Sequence, residues 1–289
     1  RDRSVSRGLG DVYKRQMVYN LPKLPVREEN SNKGTFGKIL NVSGSEYMTG
    51  AACLSSVAAL RTGAGYVELA SHENALKAAA CLSPEIVLAP IDKISEIIKS
   101  STVLLIGCGL STTANAVRIF KDTLELAEKI STVIDADGLN ILSQNEIKLP
   151  ENVILTPHPK EASRLLHCCL DDVLRNMEEC AEKISKKYRC VTVLKSHKTI
   201  VTSQYGTIYH NTTGNSALAK AGSGDVLAGI IAGFLAQHMN TFDAAVLGVY
   251  LHGLAGDLAK NDLTAYGVLA SDTIRYIPYA IKKYLMQDN

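Results

Sequence analysis

The sequence predicts an α/β protein with three layers, α/β/α, and a mainly parallel central sheet flanked by helices. Three observations point there. From Lys38 onward, short β-rich runs alternate with longer stretches of helical periodicity, the signature of βαβ units. The stretch 224–238 is apolar nearly all round (Val226, Leu227, Ile230, Ile231, Phe234, Leu235), so it belongs in an interior layer. With 289 residues, 46% hydrophobic and 21% charged, the chain has the size and composition of one large sheet with helices on both faces.

The elements follow in order. Residues 1–16 are basic and lack apolar periodicity, so they are expected to be a disordered or artefactual leader before Met17, with 17–289 a single domain. An Arg-rich targeting peptide is the rival reading, and Asp2 and Asp11 weigh against it. Strands are expected at 38–44 (KILNVSG), 66–70 (YVELA), 86–90 (IVLAP), 102–109 (TVLLIGCG), 132–137 (TVIDAD), 153–158 (VILTPH) and 190–195 (CVTVLK). The runs 198–204 and 206–211 flank a Tyr-Gly turn and form a hairpin. Helices are expected at 50–64, 73–82, 115–130, 174–188, 224–238, 242–260 and 271–285, where apolar residues recur near the helical period. The small residues of 49–60 fit a helix packed tightly on its neighbours or on a flat ligand. No internal repeat or long linker marks a second domain.

Composition excludes several classes. A formal net charge of +2, with Lys and Arg scattered, gives no field for nucleic acid, and no stretch approaches the ~20 apolar residues of a membrane span. The seven cysteines form no CxxC pair, which argues against a zinc site or disulfide framework and for reduced thiols in a cytoplasm. Asn41-Val42-Ser43 and Asn211-Thr212-Thr213 match the glycosylation sequon, and without a secretory signal both are read as accidental. The expected partners are small molecules.

In open parallel sheets, ligands bind beyond the carboxyl ends of the strands. The strongest stretch is 211–225 (NTTGNSALAKAGSGD), where a glycine-rich turn runs into the apolar helix. Unpaired amides at a helix start, with the helix dipole, make an anion site, here Gly222, Ser223 and Gly224. Asp225 stands at its mouth. A carboxylate there repels phosphate unless it accepts a proton from an attacking hydroxyl; the plainer reading is a helix N-cap. Lys195 and Lys198 at strand ends are either phosphate ligands or solvated edge residues. His158 lies between Pro157 and Pro159 past a strand, in a rigid loop suited to bonding a hydroxyl or carboxamide. Asp135, Asp137 and Asn140 follow another strand, where they fit a metal-water or substrate contact, with Asp137 equally suited to cap a short helix. Asn215 is a further candidate in the glycine-rich run. Tyr47 and Met48 are either an apolar wall for a ring or loop-to-core packing.

The Gly222-Ser223-Gly224-Asp225 start of a helix resembles the anion hole of ribokinase-like sugar and vitamin kinases. Further motifs narrow the resemblance: GTFGKILNVSGSEYMTGAA (34–52), LRTGAGYV (60–67), GCGL (107–110), DADGLN (135–140), LTPHPKE (155–161) and LKSHKTIV (194–201). Together these are similar to the NAD(P)H-hydrate dehydratases, across nearly everything from Lys33 onward. That resemblance implies a lyase that removes water from the 6S hydrate of NADH or NADPH, driven by ADP or ATP with Mg2+ accompanying the nucleotide. It implies Asp225 as base, Ala51, Gly109, His158 and Asp225 as contacts to the hydrated dinucleotide, and Lys195, Ser196, His197, Lys198, Thr199 and Gly224 as contacts to the adenine nucleotide. It implies no dedicated protein metal cage and, by analogy, a homo-oligomer, a tetramer. Where related sequences often have Gly-Pro-Gly-Leu, this one has Gly107-Cys108-Gly109-Leu110. Only about thirty residues precede the resemblance, fewer than an upstream epimerase domain needs, so a separate epimerase is expected. The alternative is a small-molecule kinase of the ribokinase-like superfamily; a non-catalytic nucleotide sensor is a third.

Overall fold

A computed structural model describes residues 21–287; the leader expected at 1–16 lies outside them. The strands are β1 (Lys38–Val42), β2 (Tyr66–Ser71), β3 (Val87–Pro90), β4 (Val103–Ile106), β5 (Ser131–Ile134), β6 (Val153–Leu155), β7 (Val191–Leu194), β8 (Ile200–Thr202) and β9 (Ile208–His210). They form one nine-stranded sheet in the order β3-β2-β1-β4-β5-β6-β7-β8-β9. Pairing is parallel from β3 through β7, and β8 and β9 add an antiparallel edge as the expected hairpin.

The helices are α1 (Thr49–Thr62), α2 (Glu73–Leu82), α3 (Ile94–Ile97), α4 (Ala114–Leu126), α5 (Asp137–Gln144), α6 (Pro159–Leu166), α7 (Leu170–Arg175), α8 (Met177–Tyr188), α9 (Ser223–Ala236), α10 (Thr241–Gly267) and α11 (Ala270–Gln287). Strand alternation assigns them to two faces. Ile39, Val103 and Leu105 share a core with α1, α9, α10 and α11, whereas Leu40, Val42, Leu104 and Ile106 face α4, α5, α6 and α8. All seven side chains are fully buried. Both faces are covered, which is why these strands are apolar nearly throughout; the buried Asn41 of β1 is the exception, its amide donating to Ser55 Oγ and Ser56 Oγ of α1, both at 2.9 Å.

The apolar helix is α9, set between the sheet and α1. A Cβ added at Gly229 would lie 2.2 Å from the Ser55 carbonyl oxygen, and one at Gly233 would lie 2.8 Å from Thr62 Cβ. The small residues of α1 therefore serve close packing on α9.

Several boundaries differ from expectation. The helix expected at 174–188 is two, broken at Asn176 (φ −134, ψ 50), a residue type that favours caps over helix interiors. The helix expected at 242–260 runs on to Gly267 and is interrupted at Thr264 (φ 68, ψ 162). α3, α5 and α6 have four, eight and eight residues, too few to show a helical period in sequence. Several expected strands stop early, most of all 102–109, 132–137 and 153–158, which end at Ile106, Ile134 and Leu155. Their surplus residues turn out of the sheet at the carboxyl ends of adjacent parallel strands, along one edge.

Candidate active site

That edge gathers the chemistry. After β4 the chain turns at Gly107 (φ 115) and Gly109 (φ 63), and a Cβ on Gly107 would lie 2.2 Å from the Asp135 carbonyl oxygen. The turn needs glycine on both counts. It presents Cys108, fully buried, whose thiol reaches Asp135 Oδ2 at 4.0 Å. β5 delivers Asp135, 1% exposed, β6 delivers His158, and β7 delivers Lys195. Opposite them α9 begins at Gly222 (φ 89), where a Cβ would lie 2.6 Å from Leu54 Cδ1.

Asp225 is the third residue of α9, and no side chain caps the helix, so the N-cap reading fails. The first intrahelical bond runs from Val226 N–H to the Gly222 carbonyl, and Ser223 N–H donates to Lys220 O at 3.3 Å. The amides of Gly224 and Asp225 precede the helical ladder and point past its start. Of the expected anion-hole residues Gly222, Ser223 and Gly224, Ser223 has its amide engaged by Lys220 O.

The charges beside it are arranged in a chain. Lys195 Nζ lies 2.6 Å from Asp135 Oδ1 and 3.9 Å from Glu161 Oε2. Burial alone would lower the Lys195 pKa, but Asp135 and Glu161 outweigh it and hold the ammonium above its ordinary value. Burial pushes Asp225 up to about 6; the charge of Asp135 adds to this, while Cys108 and Lys195 pull the other way. A carboxylate of that strength is ionised at neutral pH yet a better proton acceptor than a solvated Asp. Cys108, Asp135 and Asp225 bring one ligand atom each within 4.8 Å of one another. Burial raises the Cys108 thiol well above its ordinary value, so here it is a weak proton donor to carboxylates.

His158 ends the short loop after β6, as expected, and is the N-cap of α6. Its Nδ1 accepts from the amides of Lys160 and Glu161, both at 3.1 Å, while Glu161 Oε2 accepts from the His158 amide at 2.8 Å. This capping box fixes the proton on Nε2, which lies 3.4 Å from Glu161 Oε1. Burial, then Lys195, lowers the imidazole pKa, and the ring is neutral. Glu161 is 5% exposed, and burial pushes it up to about 7 in spite of Lys195.

A cavity of about 840 Å³ opens from this cluster. His158, Lys195, Ser196, His197, Thr199 and Gly224 line it, as do Gly214, Asn215, Leu218 and His252. Every expected nucleotide contact except Lys198, which is exposed, thus faces one space. Ala51 and Gly109 meet elsewhere: a Cβ on Gly109 would lie 2.9 Å from Ala51 Cβ and 3.0 Å from Met48 Cβ.

A family profile described as NAD(P)H-hydrate dehydratase matches residues 39–279. The chain belongs to the NAD(P)H-hydrate dehydratase family. It is 39% identical to the ADP-dependent (S)-NAD(P)H-hydrate dehydratase of Neisseria meningitidis over 90% of this chain and 91% of that one. It is 36% identical to the bifunctional NAD(P)H-hydrate repair enzyme Nnr of Moorella thermoacetica, of which it spans only 52%. Among solved structures, the ADP/ATP-dependent NAD(P)H-hydrate dehydratase of Bacillus subtilis, co-crystallised with ATP and Mg2+, superposes with a TM-score of 0.81 at 31% identity, covering 90% of this chain and 94% of that one. A ribokinase-like superfamily protein of Enterococcus faecalis gives 0.81 at 32%, covering 90% and 92%. The expected ribokinase-like α/β/α class is the one observed.

Within this dehydratase-family site, other residues take places the sequence did not indicate. Asn215 has both ends of its amide engaged: Nδ2 donates to Asp257 Oδ1 at 2.7 Å and Oδ1 accepts from Ala217 N at 2.8 Å. It shapes the wall more than it offers a ligand atom. Asn140 is held by Arg164 and Asp137, and Asp137 accepts from Ser111 N at 2.8 Å instead of capping α5. Tyr47 and Met48 are 88% and 42% exposed, which removes core packing as the account of Tyr47. His252 was unforeseen; its Nε2 lies 3.3 Å from Ser223 Oγ, and burial pushes it down to about 4, so it stays neutral. Glu161 was legible only as the last letter of His158-Pro159-Lys160-Glu161, a capping-box spacing.

Proposed function

We propose that this chain dehydrates the 6S hydrate of NADH or NADPH, driven by ADP or ATP, as its family implies. The observation that carries the reading is Asp225: a half-buried carboxylate with its pKa up at about 6, on the first turn of α9, beside amides that precede the helical ladder and next in sequence to Gly224, which lines a cavity sized for a nucleotide. Asp225 takes the proton from the hydrate's C6 hydroxyl, and that oxygen attacks the terminal phosphorus of the nucleotide. AMP leaves from ADP, or ADP from ATP. Charge developing on the transferred group meets the amides of Gly224 and Asp225 and the Lys195 ammonium. The C6–O bond then breaks with phosphate as the leaving group, pushed by the ring nitrogen, and loss of the C5 proton restores the reduced nicotinamide.

The adenine nucleotide takes the cavity lined by Lys195, Ser196, His197, Thr199 and Gly224, and the hydrated dinucleotide takes the side where Ala51 meets Gly109 and reaches His158 in the cavity wall. Magnesium would enter with the nucleotide's phosphates and neutralise their charge, without a dedicated protein cage. A single domain, a homotetramer and a cytoplasmic setting complete the proposal. Free thiols and the absence, among the described residues, of a helix long and apolar enough to cross a membrane are consistent with it. So are the exposed apolar Tyr266 and Leu269 at the α10–α11 junction, for self-association.

The test mixes the protein, Mg2+, ADP or ATP in parallel, and the 6S hydrate. The near-ultraviolet absorbance of reduced nicotinamide should return with release of free phosphate. A stable phosphoester without that band would instead identify a small-molecule kinase.

A further inference from the structure

The cavity's outer wall is the segment from Asn211 to Leu218, which has no regular structure apart from one 3-10 turn at Ser216–Leu218. Something outside the segment must hold it in place. We infer that Asp257, on α10, is the positioning residue that registers this wall for the nucleotide, acting through Asn215 and the Gly214 amide. The inference rests on reading the cavity as the nucleotide site.

The hydrogen bonds form a closed set. Asp257 Oδ2 accepts from Gly214 N at 3.0 Å, and Oδ1 accepts from Asn215 Nδ2 at 2.7 Å. Asn215 Oδ1 then caps the 3-10 turn by accepting from Ala217 N at 2.8 Å. Each donor meets an acceptor, and the carboxylate makes two of the bonds charge-assisted. The backbone geometry agrees. Gly214 has φ 99, and Gly253, one turn before Asp257, leaves room for Thr213: a Cβ there would lie 2.2 Å from Thr213 Oγ1. Gly256 likewise makes space for Leu218, whose Cδ2 would be 2.7 Å from an added Cβ. The wall lies directly on α10, so a carboxylate of that helix fixes its height as well as its register.

This pattern makes a reciprocal exchange diagnostic. Asp257→Asn alone places an amide donor against either Gly214 N–H or the Asn215 amide. Flipping Asn215 only moves the donor-donor clash to Ala217 N–H. Asn215→Asp alone sets two carboxylates against each other. Combining the two restores every partner: the new amide at 257 accepts from Gly214 N–H and donates to the new carboxylate at 215, which still caps Ala217. Net charge is unchanged.

The experiment measures the KM for ADP, kcat, ADP affinity by calorimetry and Tm for the wild type, both single variants and the double exchange. Each single variant should raise the KM and Kd for ADP about tenfold or more, as loss of a charge-assisted hydrogen bond does, with kcat at saturating ADP within about twofold. The double exchange should bring both constants back to near the wild-type values. Single variants that lower Tm and leave KM and Kd for ADP unchanged overturn the inference, as does a folded double exchange that fails to recover. A wild type that binds neither ADP nor ATP overturns the reading of the cavity itself, and with it the role of Asp257.

Discussion

Replacing Asp225 with Asn removes the proposed base and, by the same physics, should stabilise the protein. The carboxyl rises from 3.8 to about 6 on folding, a shift caused first by burial and then by Asp135. At about 1.36 kcal/mol per unit, its ionisation costs the folded state up to ~3 kcal/mol. The sign follows from proton binding. A group whose folded pKa is raised lends its full stability below the unfolded pKa and loses it as pH rises through the folded value. The wild type therefore bears the cost fully above pH about 6 and escapes it below about 4. Asn carries no charge, and its amide can donate to the neighbouring Asp135 carboxylate. Urea unfolding of the two proteins across this range should show the variant more stable near neutrality by ~1 to 3 kcal/mol, with the gap closing as pH falls. Turnover should drop by ~10² to 10⁴, the usual contribution of a positioned base, with ADP binding retained. Turnover within a few fold of wild type would show that Asp225 is not the base, and a stability gap independent of pH would show that its ionisation does not cost the folded state.

Other expectations come from the same contacts. The acid limb of kcat/KM should fall near the Asp225 value of about 6, with activity lost as the base is protonated. Because Cys108 helps keep Asp225 ionised, Cys108→Ala should move that limb upward and Cys108→Ser should leave it in place; superimposable pH profiles would show that the thiol does not act on Asp225. His158→Asn keeps an N-cap side chain for α6 and removes the imidazole, so urea stability should change by less than ~1 kcal/mol while the KM for the hydrate rises; unchanged kinetics would make His158 a cap alone. Gly229→Ala gains ~1 kcal/mol of helix propensity, but its Cβ meets the Ser55 carbonyl, a backbone atom unable to move aside. Overpacking of ~1 to 3 kcal/mol should win, and a variant more stable to urea than wild type would show that α1 and α9 can separate.

What the sequence showed and what it hid divide along one physical line. Burial leaves a visible pattern: β4 and α9 are legible because each is apolar on every side that packs. The longest overruns, Gly-Cys-Gly at 107–109, Asp-Ala-Asp at 135–137 and Thr-Pro-His at 156–158, follow directly on apolar strands and break the apolar pattern where the chain leaves the sheet. The overrun is informative, since Cys108, Asp135 and His158 all fall inside it, where the chain leaves the sheet, the first two buried and His158 half-buried. Asp225 was legible for a different reason, as a charge directly after two glycines at the mouth of an apolar helix, a combination that packing alone does not call for. Lys195 and Asp135 were each visible but their pairing was not, because a contact at 2.6 Å across 60 residues of sequence leaves no local trace. Asp257 and His252 are the extreme case. Both sit within a helix whose period is set by its apolar neighbours, and their partners come from the loop before α9 and its first turn. A polar residue there reads as an ordinary solvated helix position until the sheet brings that segment against it. Local pattern thus finds groups that act at the ends of elements and misses those that act from their sides, so the unassigned residues of greatest interest in such a fold are the half-buried carboxylates and imidazoles of its longest helices.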